Sequence, residues 1–354
     1  MEKKKALKRL CLLILALFFA VIFFVWLLDP FYQYHEPFFG LKKVLYDRDN
    51  QVPGTIRSFE YDTVILGSSV AENFDSSFID STYDCETLKI IRASGSVADL
   101  LYYLEQAHEE QDLERVFWCL DIFALTAPME VTLYGEDIPR YLHTENVLDD
   151  IPYIFNKEVI MKKIPMMLAY SFMDINTGGH AYDWSADKTF GAAKAMTAYA
   201  KPEDSGTVES RDFSSEKALI GQNIESVISE IKSHPEVEYT VMFPPYSLLW
   251  WDCGYVNGER EKYGYILEQV LSELLECENA TVHFFMAEKD IVCNLDNYMD
   301  MIHYTPQINQ YMLDGVAQGT HEVTKDNLGE ILTKVEENFD YIISEGIYEY
   351  YPKK

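Results

Sequence analysis

The chain has 354 residues, a length that predicts one large domain with an insertion. Its hydrophobic content of 48%, with 14% aromatic residues, is enough for a sizeable core and excludes disorder over most of the length. The formal net charge of −29 leaves no basic surface for a phosphate backbone. The composition therefore excludes nucleic acid as a partner.

The first element in the chain is an uncharged apolar run from Leu10 to Leu28. A helix of that length spans about 28 Å, close to the hydrocarbon thickness of a bilayer, about 30 Å. Residues 1–9 carry five Lys or Arg and one Glu, and Asp29 follows the run. This asymmetry predicts a cytoplasmic tail at 1–9, a single transmembrane helix at 10–28 and an extracytoplasmic remainder in the cell membrane.

A cleaved signal peptide is the alternative interpretation of the same run. The run is long for the apolar region of a signal peptide, and no small-x-small cleavage site follows it. A retained anchor is the interpretation that both features favour. Residues 29–60 begin with many aromatic side chains and two prolines, which predicts an extended neck on the domain or at the membrane interface.

Regular alternation of strands and helices begins at Thr63. The predicted strands are Thr63–Leu66, Thr87–Ala93, Arg115–Phe123, Glu238–Phe243 and Thr281–Met286. The predicted helices are Val97–Glu110, Ser214–Lys232, Arg260–Cys277, Ile308–Val316 and Asn327–Ile343. This order predicts an α/β domain over 61–354 whose parallel sheet is covered on both faces.

The stretch 124–211 interrupts the alternation and is predicted to be a helical insertion after the third strand. It contains a helix-like part, Asp150–Phe172, and a part rich in Gly, Ser, Asp and Lys, Gly179–Ser210. Because loops at the carboxyl ends of parallel strands surround the active sites of such folds, a lid is one possible role.

The six cysteines do not form a recognisable metal-binding pattern. Cys11 lies in the apolar run, and the other five are scattered without Cys-x-x-Cys spacing. We therefore expect no zinc ligand set, while a disulfide outside the cell stays possible without an assigned pairing.

The first strand ends in Gly67-Ser68-Ser69, a turn that places a serine where α/β sheets bind ligands. Amides at the following helix start can donate to a developing oxyanion. Far downstream, Asp300 and His303 are three residues apart, so the carboxylate can hold the imidazole while its other nitrogen accepts a serine proton. An ordinary turn and a polar cap on a helix are the alternatives for these two motifs.

The spacing of these motifs resembles the SGNH/GDSL hydrolase superfamily over roughly Tyr61 to Glu345. The resemblance implies a flavodoxin-like three-layer sandwich with Ser69 as nucleophile, His303 as base and Asp300 as its partner. It also implies oxyanion donors in the amides of Ser69 and Gly95. With the anchor, the chain is similar to the membrane-anchored cell-envelope branch, which includes the D-alanyl-lipoteichoic acid transfer protein and alginate-type O-acetylation proteins.

Two positions depart from the pattern of that superfamily. Ser68 stands where the GDSL aspartate would be, a change that the envelope branch shares. The asparagine that donates at the end of the third strand is not found, and Asp121 is the nearest residue. An ionised carboxylate there would repel an oxyanion.

Aromatic residues after the fourth strand are candidates for the substrate rim. Tyr246, Trp250 and Trp251 could stack on sugar rings or hold an acyl chain, and Asp121 is a further candidate for the rim. Core packing or lid docking is the alternative role for these aromatic residues.

The resemblance implies a serine esterase or O-acyltransferase that acts on a cell-envelope glycan or acylated polymer without a metal or organic cofactor. The alternative is a catalytically silent module of the same fold that binds glycan or assists a membrane-bound acyltransferase. A secreted lipase is a third hypothesis, which the retained membrane segment disfavours.

Overall fold

A computed structural model describes residues 2–132, 139–144, 146–202 and 208–352. The α-helices are α1 (Glu2–Leu28), α2 (Arg48–Ser58), α3 (Ser76–Tyr83), α4 (Val97–Glu110), α5 (Ile151–Ile154), α6 (Ile164–Met173), α7 (Ala192–Ala195), α8 (Lys217–Ser233), α9 (Leu248–Val256), α10 (Arg260–Leu274), α11 (Lys289–Val292), α12 (Pro306–Ala317), α13 (Leu328–Tyr341) and α14 (Ile347–Tyr350). The strands are β1 (Thr63–Gly67), β2 (Thr87–Ile91), β3 (Arg115–Cys119), β4 (Glu238–Phe243), β5 (Ala280–Phe284) and β6 (Glu322–Val323).

Short helical turns of two kinds complete the secondary structure. The 3₁₀ turns are Ser69–Ala71, Ile122–Thr126, Arg140–His143, Val147–Asp150, Gly178–His180, Ser185–Asp187, Met196–Ala198 and Leu295–Asn297. The π-helical turns are Val159–Lys163 and Ile342–Gly346.

The chain divides into two compact units. The first contains residues 1–60 and 133–178, and the second contains 61–132 and 179–354. The stretch that we predicted as one insertion, 124–211, is therefore shared between both units. Parts of that stretch, 133–138, 145 and 203–207, lie outside the described residues.

The second unit contains a six-stranded sheet in the order β2-β1-β3-β4-β5-β6. The first five strands are parallel, and β6 pairs antiparallel with β5. All five residues of β1 are buried, as expected for a central strand covered on both faces. The structure thus confirms an α/β fold with a mostly parallel sheet.

Several element boundaries match the sequence pattern, and others differ for identifiable reasons. β4 and α4 have the predicted limits, and α4 begins with a capping box formed by Ser96 and Asp99. β3 is shorter than predicted, because its apolar run continues into the buried 3₁₀ turn Ile122–Thr126. The sequence pattern did not predict α2, α3, α7, α9, α11, α14 or the two-residue β6.

The first unit contains α1, which is long and apolar enough to cross a membrane. Residues Lys3–Leu28 have a mean hydropathy of 3.1 in their most apolar window, and 6% of that window is buried. The helix-like prediction for Asp150–Phe172 is interrupted in the structure. The stretch consists of short helical turns and α6, with prolines near the starts of α5 and α6.

Candidate active site

Ser69 lies directly after the carboxyl end of β1, at the start of the 3₁₀ turn Ser69–Ala71. Only glycine fits at position 67, because a Cβ atom there would lie 2.8 Å from the Cβ of Ala71 and 3.2 Å from that of Cys119. The turn is held from the other side, since Asn309 of α12 donates to the Val70 carbonyl at 2.9 Å. The serine is thus presented on a fixed turn.

Ser69, His303 and Asp300 form a continuous hydrogen-bonded relay. The distance from Ser69 Oγ to His303 Nε2 is 2.8 Å, and the distance from His303 Nδ1 to Asp300 Oδ2 is 2.7 Å. An ionised carboxylate can only accept, so the proton of His303 is on Nδ1. Nε2 is then free to accept the Ser69 proton, which is the state that a general base requires.

Asp300 is oriented by its own backbone turn. Its Oδ1 accepts the amides of Ile302 at 2.9 Å and of His303 at 2.8 Å. Burial raises the pKa of this carboxyl, but the hydrogen bond and charge of His303 together with the two amides outweigh burial, and the pKa is below its ordinary value. The side chain therefore stays ionised while it holds the imidazole.

The loop that carries His303 is fastened to the end of β4. The amide of Ser247 donates to the Met301 carbonyl at 3.0 Å, and the Ser247 hydroxyl donates to the same oxygen at 2.8 Å. Tyr298 and Tyr304 close the loop by an antiparallel bridge. Sequence analysis expected Asp300 and His303 on one turn, and the structure brings that turn to Ser69.

Trp184 is a site residue that sequence analysis missed. Its indole Nε1 donates to the Ser69 carbonyl at 3.1 Å, and its ring meets the His303 ring edge-on, with the centroids 5.5 Å apart. Nothing in the local sequence distinguishes this tryptophan from the four others. It limits the space in which the imidazole can rotate.

The segment before Trp184 is held by a buried lysine in β2. Lys89 Nζ donates to three carbonyls, those of Glu72, Gly179 and Ala181, at 2.8 to 3.0 Å. Burial lowers the pKa of this amine to about 8. Lys89 therefore fixes the position of the segment that leads to Trp184.

Replacing Trp184 by phenylalanine removes the hydrogen bond to Ser69 but keeps a ring beside His303. We expect kcat/KM for an acyl ester to fall about threefold to tenfold, the usual weight of one neutral hydrogen bond. Trp184→Ala removes the ring as well and should cost more. Equal activity of both variants and the wild type in a p-nitrophenyl acetate assay would contradict this role.

The two expected oxyanion donors differ in availability. Ser69 is the first residue of its short helix, so its amide has no acceptor within that helix. The amide of Gly95 donates to the Arg92 carbonyl at 2.9 Å. Gly95 would have to share or leave that bond to donate to an oxyanion.

Asp121 lies two residues beyond β3, whose Cys119 is paired with Gly67 of β1. The side chain is 1% exposed, and Tyr246 donates its hydroxyl to Oδ1. Burial raises the pKa of this carboxyl to about 6, although the hydroxyls of Ser68 and Tyr246 and the charge of His303 lower it. A buried charge therefore develops near the relay as the pH rises above 6.

Asp121→Asn removes this charge and supplies an amide donor in its place. We expect kcat/KM for p-nitrophenyl acetate to rise about tenfold or more at about pH 8, because one oxyanion donor is worth about 10²–10³. Because folding raises the pKa of Asp121, its contribution to stability is largest below its ordinary pKa. That contribution is lost as the pH rises through about 6. The variant should therefore gain up to about 3 kcal/mol in unfolding free energy relative to wild type between about pH 4 and pH 8.

Asp252→Asn is the matched control for that experiment, because Asp252 is also 1% exposed but is paired with Lys201 and Tyr199. This variant should lose stability without a gain in activity. Asp121→Asn would contradict the expectation if its rate stayed at or below the wild-type rate across the pH range.

The aromatic residues predicted as a substrate rim are mostly inside the protein. Tyr246 and Trp251 are 0% and 3% exposed, which leaves no face for stacking on a sugar ring in this conformation. Trp250 is partly exposed and stacks on Tyr263 with a centroid distance of 4.4 Å. These contacts correspond to the core-packing alternative.

A group of possible metal ligands lies at the opposite edge of the sheet, near the amino end of β4. Glu230 Oε1 is 3.1 Å from His108 Nε2 and 3.7 Å from His234 Nε2, beside a groove of about 580 Å³. The two imidazole rings stack at 3.7 Å with an angle of 3° between their planes. A metal ion lies close to the plane of each imidazole ring that binds it, and two rings stacked in parallel cannot both meet that condition. The group is therefore a hydrogen-bonded cluster.

Comparison of the chain with protein-family models, with curated proteins and with solved structures finds no match.

Proposed function

We propose that the second unit catalyses acyl transfer through Ser69, His303 and Asp300. The observation that carries this proposal is the unbroken relay, 2.8 Å from Ser69 to His303 and 2.7 Å from His303 to Asp300. Such a relay activates a serine hydroxyl at neutral pH, because the imidazole takes the proton as the oxygen attacks. The position of Ser69 after a central parallel strand supports the proposal.

The proposed reaction has two halves. Ser69 Oγ attacks the acyl carbonyl and gives its proton to His303 Nε2. Collapse of the tetrahedral intermediate breaks the ester bond, and the leaving alcohol takes the proton from His303. Water or a sugar hydroxyl then loses its proton to His303 and attacks the acyl-serine. The bond between the acyl carbon and Ser69 Oγ breaks, and Ser69 Oγ takes the proton back from His303. Asp300 stabilises the imidazolium in both halves.

We further propose a flavodoxin-like sandwich of the SGNH type. The strand order β2-β1-β3-β4-β5 is that of flavodoxin-like sheets, which supports the fold assignment. The Ser69 turn after β1 and the Asp300-x-x-His303 motif before α12 also support this proposal. We expect no resident cofactor for this chemistry.

The apolar helix α1 supports a site of action at a membrane. With Lys and Arg in the first turns of α1, ahead of its apolar run, and Asp29 after the helix, we propose an extracytoplasmic second unit anchored in the cell membrane. The substrate is then an acylated glycan or polymer of the cell envelope, and a membrane-bound acyltransferase is a candidate partner.

A fluorophosphonate probe tests the proposal on the full chain in detergent. Wild type should be labelled at one site, and peptide mapping should find the adduct on Ser69. His303→Ala should slow labelling strongly, whereas His180→Ala, at an exposed histidine outside the relay, should not. An unlabelled wild type, or an adduct on another serine, would contradict the proposal.

A catalytically silent module is the alternative, which the engaged Gly95 amide and the buried Asp121 favour. It predicts that Ser69→Ala keeps glycan binding and the cellular role of the protein. Loss of that role in a folded Ser69→Ala chain would exclude this alternative.

A further inference from the structure

The first unit carries an unusual number of exposed large apolar side chains. Besides those of α1 and the pair Phe38 and Phe39, they occur within residues 147–173 and are Val147, Leu148, Ile151, Phe155, Met161, Phe172 and Met173. Leu148 is 73% exposed, Met161 69% and Phe172 83%. Soluble surfaces tolerate scattered apolar residues, but a concentration of this kind in one segment marks an interaction surface.

The exposed residues alternate with buried ones at helical spacing. Val147, Ile151 and Phe155 are four residues apart and exposed, whereas Tyr153 and Ile154 are buried. Two apolar faces therefore exist in this part of segment 147–173. One face completes the core of the unit, and the other is exposed among the described residues, apart from a ring contact between Phe155 and Phe18.

The buried face packs directly on α1. Tyr153 and Ile154 belong to the same apolar cluster as Val25 of that helix. Further along α1, the ring of Phe155 stacks on that of Phe18 with a centroid distance of 4.9 Å. The segment thus covers one side of the apolar helix in its second half.

The position of Phe18 gives the depth of this contact. Phe18 precedes the end of α1 at Leu28 by ten residues, or about 15 Å of helix. If α1 spans a hydrocarbon core of about 30 Å, that distance reaches about its middle. An element that touches Phe18 from the side must then enter the same half of the bilayer.

The three exposed charged residues of the segment, Lys157, Glu158 and Lys162, are compatible with that environment. Lys162 forms an ion pair with Glu158 at 2.9 Å, and Lys157 is also exposed. Long lysine side chains can extend to the phosphate level while their stems stay in the apolar region. Apolar side chains flanked by lysines are typical of segments that lie in a membrane interface.

We propose that segment 147–173 is embedded in the lipid beside α1, in the half of the bilayer where α1 ends. The membrane-embedded part of the protein then consists of α1 and segment 147–173 beside it. The proposal rests on α1 crossing a membrane and is independent of the acyl chemistry. The occupant of the exposed apolar face is phospholipid, because this face continues the lipid-facing surface of α1.

The test uses the full wild-type chain in vesicles of phosphatidylcholine and phosphatidylglycerol that contain a phospholipid with a photoreactive diazirine in its acyl chain. After irradiation, the lipid adducts are mapped to peptides by mass spectrometry. We expect adducts on α1 and, at a comparable level, on peptides from 147–173. Peptides from α8, a surface helix of the second unit, serve as the internal control and should carry few.

Three results would overturn the proposal. Adducts confined to α1 would mean that protein or water covers the exposed apolar face. Equal labelling of α8 and 147–173 would mean that the contact is unspecific. Absence of adducts from α1 would remove the premise that α1 crosses the bilayer. None of these results tests the role of Ser69, so the proposal of acyl transfer is tested independently.

Discussion

Replacing Ser69 by alanine is expected to lower kcat/KM for p-nitrophenyl acetate by a factor on the order of 10⁴ or more. The reason is that the relay ends on the Ser69 hydroxyl, 2.8 Å from His303 Nε2, and no attack can occur without that oxygen. Triad enzymes lose about this much when the nucleophile is removed, and the residual rate comes from binding and oxyanion stabilisation. The measurement is steady-state hydrolysis by the full chain in detergent, with melting temperature recorded for each variant.

The adjacent serine provides the matched control. Ser68 is 1% exposed and has the same side chain, but its hydroxyl lies outside the relay. Ser68→Ala should keep the rate within about tenfold of wild type, the effect of one altered hydrogen bond. If Ser68→Ala lost as much activity as Ser69→Ala, the result would contradict the assignment of Ser69 as the nucleophile.

The second large effect is expected for Asp300→Asn, with a fall in kcat on the order of 10⁴. The variant keeps an oxygen for the amides of Ile302 and His303, so the turn should persist. Its amide group, however, donates to Nδ1 and moves the imidazole proton to Nε2, the atom that must accept from Ser69. The loss therefore comes from the wrong tautomer while the fold is kept.

Stability provides an independent check on the same residue. Because the pKa of Asp300 is lowered in the folded protein, its stabilising effect is present above its ordinary pKa and disappears as the pH falls. The difference in melting temperature between wild type and Asp300→Asn should shrink on acidification. Asp296→Asn, at an exposed position in the same loop, should leave both rate and pH profile nearly unchanged. A fully active Asp300→Asn chain would exclude the relay mechanism.

The sheet could be predicted from sequence because its strands are short buried apolar runs with clear limits. β4 ends where Pro244 and Pro245 follow, and α4 begins at a capping box. The end of β3 was less predictable, since a buried strand and a buried turn have the same apolar composition. β6 has only two residues and no pattern of its own.

The relay itself could be anticipated from the types and spacing of its residues. Its supporting contacts could not, because they join distant positions through backbone atoms. Trp184 reaches Ser69 through a carbonyl oxygen, and Lys89 holds three carbonyls. Backbone acceptors are the same at every residue, so no sequence pattern identifies them. The buried state of Asp121 likewise follows from tertiary packing.

The separation of the relay residues along the chain bears on biosynthesis. Ser69 and His303 are 234 residues apart, and the turn after Ser69 is also held by Asn309. An incomplete chain that ends before His303 therefore holds an ordinary serine hydroxyl, with no base to activate it. Parallel pairing between distant segments folds slowly, since loop closure precedes the contacts that reward it. Nucleophilic reactivity thus arises only after most of the chain has been synthesised and has folded.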